Sequence, residues 1–169
     1  ANLSVNYYSK DFAFRKLKPF AKKDWEAFFK RIDAKARLEK IDITGSDPVL
    51  RNLEASKKNA KLAGIDKLIN FSKIDIEWID TKKDEKSIDI VASRIACPSK
   101  HTKEADVRKL YKELFYQLEF VMKKAGRLAL LTENASLLKE MITKDFQIIS
   151  EDELWAGEQK YQFVLLEKI

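Results

Sequence analysis

The chain has 169 residues, 45% hydrophobic and 36% charged, which is enough for one domain with a sizeable core and too apolar for a disordered chain. Its one cysteine, Cys97, excludes an intrachain disulfide and suits a reducing compartment. No apolar run has the length of a membrane span and no signal peptide opens the sequence, so a cytoplasmic location without membrane contact is expected.

The periodicity predicts these elements in turn. Residues 1–19, with Tyr7-Tyr8 and Phe12-x-Phe14, have no period. From about Asp24, Trp25, Phe28, Phe29, Ile32 and Ala36 recur at helical spacing. A strand over Lys40–Thr44 is followed by a small-residue turn ending in Asp47-Pro48. A helix with Val49, Leu53, Ala60 and Ala63 on one side ends at Gly64. Lys67–Ser72 reads as a short strand, 74–80 as a strand end or single helical turn, and 87–93 as a buried strand. Residues 104–124 carry Val107, Leu110, Tyr111, Leu114, Phe115, Leu118, Val121 and Met122 without a break in helical spacing. Gly126 then opens a strand, a helix bears Leu137, Leu138, Met141 and Ile142, and two strands flank a four-residue loop at 156–159. The order helix-β-α-β-β-α-β-α-β-β predicts an α/β fold. Its sheet would be parallel, with helices on both faces, and finished by one antiparallel strand. The expected organisation is a single domain over 1–169, with a basic helical segment over 1–40 and an α/β core over 41–169.

Ligands of such sheets sit beyond the carboxyl ends of the strands. Asp47, Asp75 and the segment after Ser93 fall there and are expected to line one crevice, with Trp78 a candidate contact near it. Beside Gly45 and Ser46, the Asp47 carboxylate offers two coplanar acceptors to the vicinal hydroxyls of a ribose. Equally, it caps the next helix, with Pro48 at the first position. Asp75 suits an exocyclic amine such as that of adenine, or a plain turn. The net charge of +6 lies entirely in residues 10–40, where 11 Lys and Arg face five acids. Arg15, Lys16, Lys18, Lys22, Lys23, Lys30 and Arg31 belong to this patch, which either meets phosphates or forms a solvated helix face. Cys97 and His101 are the only residues of their kinds, with no third group to orient them as a nucleophilic pair, and no His/Cys cluster has metal-ligand spacing.

Gly45-Ser46-Asp47, Leu53, Ala55, Asn59-Ala60 and Ala63-Gly64 together resemble the second motif of RNA methyltransferases that carry a THUMP domain and methylate guanine N2. The stretch from Lys10 to Phe29, the helix and strand over 111–132 and the closing hairpin are similar to the same family in the same order. The resemblance implies a Rossmann-like methyltransferase sheet, mostly parallel with a C-terminal antiparallel hairpin. It implies S-adenosylmethionine as cofactor, and transfer or ribosomal RNA as partner. By resemblance, Ser46, Asp47 and Pro48 would line the ribose site, Asp75 would meet the adenine amine and Ile76 the adenine face.

Two departures qualify it. The family's glycine-rich first motif, and the central strand that carries it, have no counterpart before residue 10. The catalytic domain is therefore expected to be N-terminally incomplete, its sheet finished by an upstream THUMP-containing segment or a partner chain. Where the family has N-P-P-[YF], this chain has Arg94-Ile95-Ala96-Cys97. An arginine accepts no hydrogen bond and a cysteine does not stack as tyrosine does, so the catalytic residues stay unassigned. The leading expectation is an RNA methyltransferase acting on a base amine. The alternatives are a catalytically degenerate domain that binds RNA or protein, and an unrelated α/β domain with a basic helix.

Overall fold

A computed structural model describes residues 11–35 and 41–169. Tyr7, Tyr8, Lys10, Ala36 and Lys40, named above, lie outside the described residues. The chain divides into two compact units, Ala1–Lys73 and Ile74–Ile169. The order of helices and strands is the order read from the periodicity.

In the first unit the described part of the stretch without a period, from Asp11 on, holds two 3-10 turns, Ala13–Lys16 and Lys18–Phe20, leading into α1 (Trp25–Asp33). The Asp24 carboxylate accepts the Ala27 N–H at 2.9 Å and caps that helix, with Glu26 in its first turn and Lys30 and Arg31 in its last. β1 (Ile43–Ser46) and β2 (Ile69–Ser72) pair in parallel, connected through α2 (Leu50–Leu62). Thr44, Gly45 and Ser46, the first of them the expected strand end and the others assigned to a turn, are thus ladder residues. Gly45 lies opposite Phe71, and a Cβ there would stand 3.1 Å from the ring, so the glycine meets a packing demand. α2 closes as its sequence predicts. Gly64 has φ 64°, its N–H donates to the Lys61 carbonyl at 3.0 Å, and the Ile65 N–H donates to the Ala60 carbonyl at 3.0 Å. β2 begins at Ile69, not Lys67, because Asp66–Leu68 forms a 3-10 turn.

The second unit contains a 3-10 turn at Ile76–Trp78, β3 (Ile88–Arg94), α3 (Glu104–Val121), β4 (Met122–Thr132), α4 (Ala135–Met141), β5 (Phe146–Ala156) and β6 (Gln159–Lys168). Its sheet has the order β3-β4-β6-β5, in which β6 alone runs against the others. Among the described residues the strands of the first unit form a two-stranded sheet and those of the second a four-stranded one. Within this unit both helices cover the same face, not opposite faces. Val107, Tyr111, Phe115, Leu118 and Val121 of α3 and Leu137 and Leu138 of α4 bury against Leu128, Leu130, Val164 and Leu166. The other face carries Ile90, Ala129, Leu131, Phe163 and Leu165 by the alternation of the strands. The β5–β6 connection is shorter than predicted. Ala156 pairs with Gln159, leaving Gly157-Glu158 as the turn, with Gly157 at φ 62°.

The α3–β4 junction also departs from expectation. The helix ends at Val121 and the strand starts at Met122, four residues before Gly126. Lys168, only 8% exposed, enforces this by donating to the Met122 carbonyl at 2.8 Å and to the Glu119 carbonyl. A buried cation thereby satisfies the carbonyls at the helix C-terminus. Gly126 sits where a Cβ would be 2.8 Å from the Lys123 carbonyl oxygen and 3.2 Å from that of Asp89.

The Tyr111 ring is fully buried and its hydroxyl donates to the Ala96 carbonyl at 2.6 Å. Burial is the main reason its pKa rises from 10.0 to about 12.

Lys168→Met keeps the apolar stem and removes both bonds; it is expected to lower stability by about 1–3 kcal/mol, read from urea unfolding. Tyr111→Phe is expected to cost about 1–2 kcal/mol at neutral pH. The unfolded phenol ionises before the folded one, so the hydroxyl's contribution is whole below pH 10 and is lost as the pH rises through about 12. Urea unfolding of both proteins across that window should show the gap between them narrowing.

Candidate functional site

In the first unit, Asp47 follows the last residue of β1 directly. Its Oδ1 accepts the Val49 N–H at 2.7 Å, and the Asn52 side-chain amide approaches Oδ1 at 3.3 Å and Oδ2 at 3.2 Å. The carboxylate therefore shapes the turn into α2. It does so one step earlier than the expected cap, because α2 starts at Leu50 and Pro48 precedes the Val49 cap position. A carboxylate has about four acceptor sites; Oδ1 takes the Val49 N–H and shares the Asn52 amide with Oδ2, which keeps a second lone pair for a further hydroxyl. Ser46 is exposed beside it, as is Pro48.

In the second unit, Asp75 lies two residues beyond the end of the first. It caps the Ile76–Trp78 turn, its Oδ1 accepting the Ile76 N–H at 2.6 Å. Asp75 is exposed, Ile76 is half-buried against the core, and Trp78 is 61% exposed, a surface residue and not a core one.

The segment after Ser93 is held from several sides. Arg94, the last residue of β3, pairs with Glu133 at 2.7 Å, and its guanidinium lies 5.1 Å from the Tyr161 ring centroid. The hydrogen bond that Arg94 donates to Glu133 raises the pKa of Arg94 above its ordinary value. The Ile95 N–H continues the ladder to the Leu131 carbonyl at 3.1 Å, and the Ala96 carbonyl takes the Tyr111 hydroxyl. Cys97 Sγ lies 3.2 Å from Thr132 Oγ1 and accepts the Glu133 N–H at 3.3 Å. His101 bonds through its backbone N–H to Ser99 Oγ at 3.2 Å. Glu133, Tyr161, Tyr111 and Thr132 were not singled out from the sequence. The β3–β4–β6 register brings Glu133, Tyr161 and Thr132 here, and Tyr111, read above only as an apolar position of the helix, arrives with α3. Among the described residues no cluster of three His, Cys, Asp or Glu side chains is disposed to hold a metal ion.

The basic segment holds a feature the sequence reading passed over. Phe12, Phe14, Phe20, Trp25, Phe28 and Phe29 form a chain of ring contacts with centroids 5.0–6.4 Å apart. Lys23 Nζ stands 5.0 Å from the Trp25 ring and 4.8 Å from that of Phe28. Arg31 faces Phe28 at 5.7 Å and Arg15 faces Phe29 at 6.0 Å. Lys16, Lys18, Lys22 and Lys30 are exposed around them. A cleft of about 700 Å³ beside Phe29 is lined by Arg15, Glu26, Lys30, Asp33 and Ala34. The signal in the sequence is the interleaving of aromatic and basic residues, which has no period.

Comparison with protein families matches residues 6–157 to UPF0020, the RMKL-like methyltransferase domain. No curated protein matches the sequence. Among solved structures, a possible methylase from Clostridium difficile 630 has a TM-score of 0.74 at 22% identity over 96% of this chain and 41% of that one. SMU.472, solved in complex with SAH, gives 0.71 at 18% identity, over 94% of this chain and 40% of that one. TrmN from Thermus thermophilus gives 0.65 at 21%, over 76% of this chain and 36% of that one. The chain spans about two fifths of the length of these structures. At such identities the likeness is one of fold, the Rossmann-like α/β fold of methyltransferases. With the family match extending over most of its length, the chain belongs to the RMKL-like methyltransferase domains.

Proposed function

We propose that this domain binds S-adenosylmethionine and serves methyl transfer to a base nitrogen of structured RNA, transfer or ribosomal. The observation that carries the reading is the Asp47 carboxylate at the carboxyl end of β1, with Oδ2 open to a further donor. The SAH bound to the structural neighbour SMU.472 is consistent with a nucleoside ligand. When bound, the cofactor supplies an activated methyl group, and the protein contributes chiefly position. Asp47 accepts a ribose hydroxyl through Oδ2 while Val49 and Asn52 hold its plane fixed. Asp75 accepts from the adenine amine and Ile76 offers its apolar side chain to the ring, as the family resemblance implies. Arg15, Lys16, Lys18, Lys22, Lys23, Lys30 and Arg31 meet RNA phosphates.

In this reading an upstream THUMP-containing segment or a partner chain supplies the strand with the glycine-rich loop. Among the described residues no strand pairs with the outer edge of β3.

A second reading is favoured by the Arg94–Cys97 segment. Arg94 is a donor already paired with Glu133, and the Ala96 carbonyl already accepts from Tyr111. The Arg94 side chain offers a target amine no acceptor, and one of the two lone pairs of the Ala96 carbonyl is taken. A domain that binds RNA without methylating it fits that geometry.

Titration of S-adenosylmethionine or SAH into the protein expressed from its full reading frame is expected to give a saturable heat; none would end the cofactor reading. Asp47→Asn retains an oxygen for the Val49 N–H and loses the anionic acceptor. It is expected to bind about 10- to 100-fold more weakly with an unchanged melting temperature. Asp47→Ala should lose binding and also about 1 kcal/mol of stability. Unaltered binding by Asp47→Asn would leave Asp47 as a turn residue alone. Transfer of labelled methyl to RNA by a cofactor-loaded sample separates the two readings.

A further inference from the structure

Residues 11–35 hold six aromatic rings, and every residue in the segment is exposed or half-buried. Phe14 is 37% exposed and Phe20 40%. Rings in this number ordinarily sink into a core, and a contiguous exposed set marks a binding surface. The same 25 residues carry eight Lys and Arg against four acids. An apolar protein partner would find Trp25, Phe28 and Phe29 each beside an ammonium or guanidinium that it would have to desolvate. A polyanion with flat apolar faces meets both components, its phosphates on the cations and its bases on the rings.

We propose that the ring cluster of Phe12, Phe14, Phe20, Trp25, Phe28 and Phe29 is a stacking surface for unpaired RNA bases. The inference rests on the RNA reading above and deepens it by naming the class of RNA: single-stranded loops, bulges or ends. Bases inside an A-form duplex are stacked on one another and offer no free face to a protein ring, whereas splayed bases do. Stacking tolerates any base, so the surface selects for strandedness and not for sequence. The cations seated over Trp25, Phe28 and Phe29 add their own planes and charges: an arginine stacks on a base as a ring does, and a lysine beside a ring meets the adjoining phosphate. The open cleft beside Phe29 is edged by Arg15 and Lys30 and also by Glu26 and Asp33.

The test is fluorescence anisotropy of the full chain with two labelled probes, an oligouridylate of about 12 nucleotides and an RNA hairpin duplex of similar length, each across a salt series. The oligouridylate should bind more tightly than the duplex. Phe20→Leu and Phe14→Leu, which keep apolar bulk and remove a stacking face, should each weaken oligouridylate binding about 5- to 100-fold, leave duplex binding unchanged and leave the salt slope unchanged. Lys22→Ala should do the reverse, lowering the salt slope by about 1 for both probes. Near-ultraviolet circular dichroism of the leucine variants excludes misfolding as the cause. Oligouridylate affinity that is indifferent to both leucine variants, or an equal loss on both probes, overturns the stacking inference and leaves RNA binding standing. Failure of the unaltered protein to bind either probe at low salt overturns both.

Discussion

The dry seam between α3 and the β4–β6 strand pair fixes the geometry of the second unit. Tyr111, Phe115 and Leu118 on one side, and Leu128, Leu130, Val164 and Leu166 on the other, exclude water almost completely. Each such side chain contributes about 1.5–3 kcal/mol by burial, so sliding α3 along the sheet is costly. Two polar groups at the edge of that seam inherit its rigidity. The Tyr111 hydroxyl carries the position of the helix to Ala96 just past β3, and the Lys168 ammonium carries the position of β6 to the end of α3. The residues beyond β3 are thus placed by the core and not by their own loop.

The first unit has no comparable seam. Among its described residues only Leu53 and Ala60 are buried. Its β-α-β connection is held by local devices, the Asp47 turn at one end of α2 and the Gly64 closure at the other. Few buried apolar contacts mean a low free energy of local opening. A nucleoside on Asp47 would add to a turn whose own stabilisation is small, so binding and ordering in this unit are linked.

The sequence disclosed the elements and their order because most of them are written locally. The unbroken period of α3, the glycine closing α2 and the turn glycine of the last hairpin each act within a few residues. What escaped depends on partners distant in sequence. Helical periodicity carries α3 past Val121, whereas the partners of its last carbonyls, Lys168 and the Lys86 and Ser87 N–H groups, lie far from it in sequence. Gly45 looks like a turn residue until Phe71 is laid opposite it. The candidate site divides along the same line. Asp47 was found because a strand-end carboxylate has a local signature, whereas the Glu133 and Tyr161 that engage Arg94 reach it only across strands. The ring cluster went unread for a different reason. Its members follow neither a helix nor a strand period, since two 3-10 turns and a short helix bring them together.

The strand order β3-β4-β6-β5 has a consequence for biosynthesis. A ribosome delivers β5 before β6, yet β5 touches the sheet only through β6. Until the hairpin folds back and inserts its second arm, the eleven-residue strand β5 leaves the exit tunnel with no ladder partner on either flank. Its run Glu151-Asp152-Glu153 puts like charges on that strand, which disfavours edge-to-edge pairing between copies.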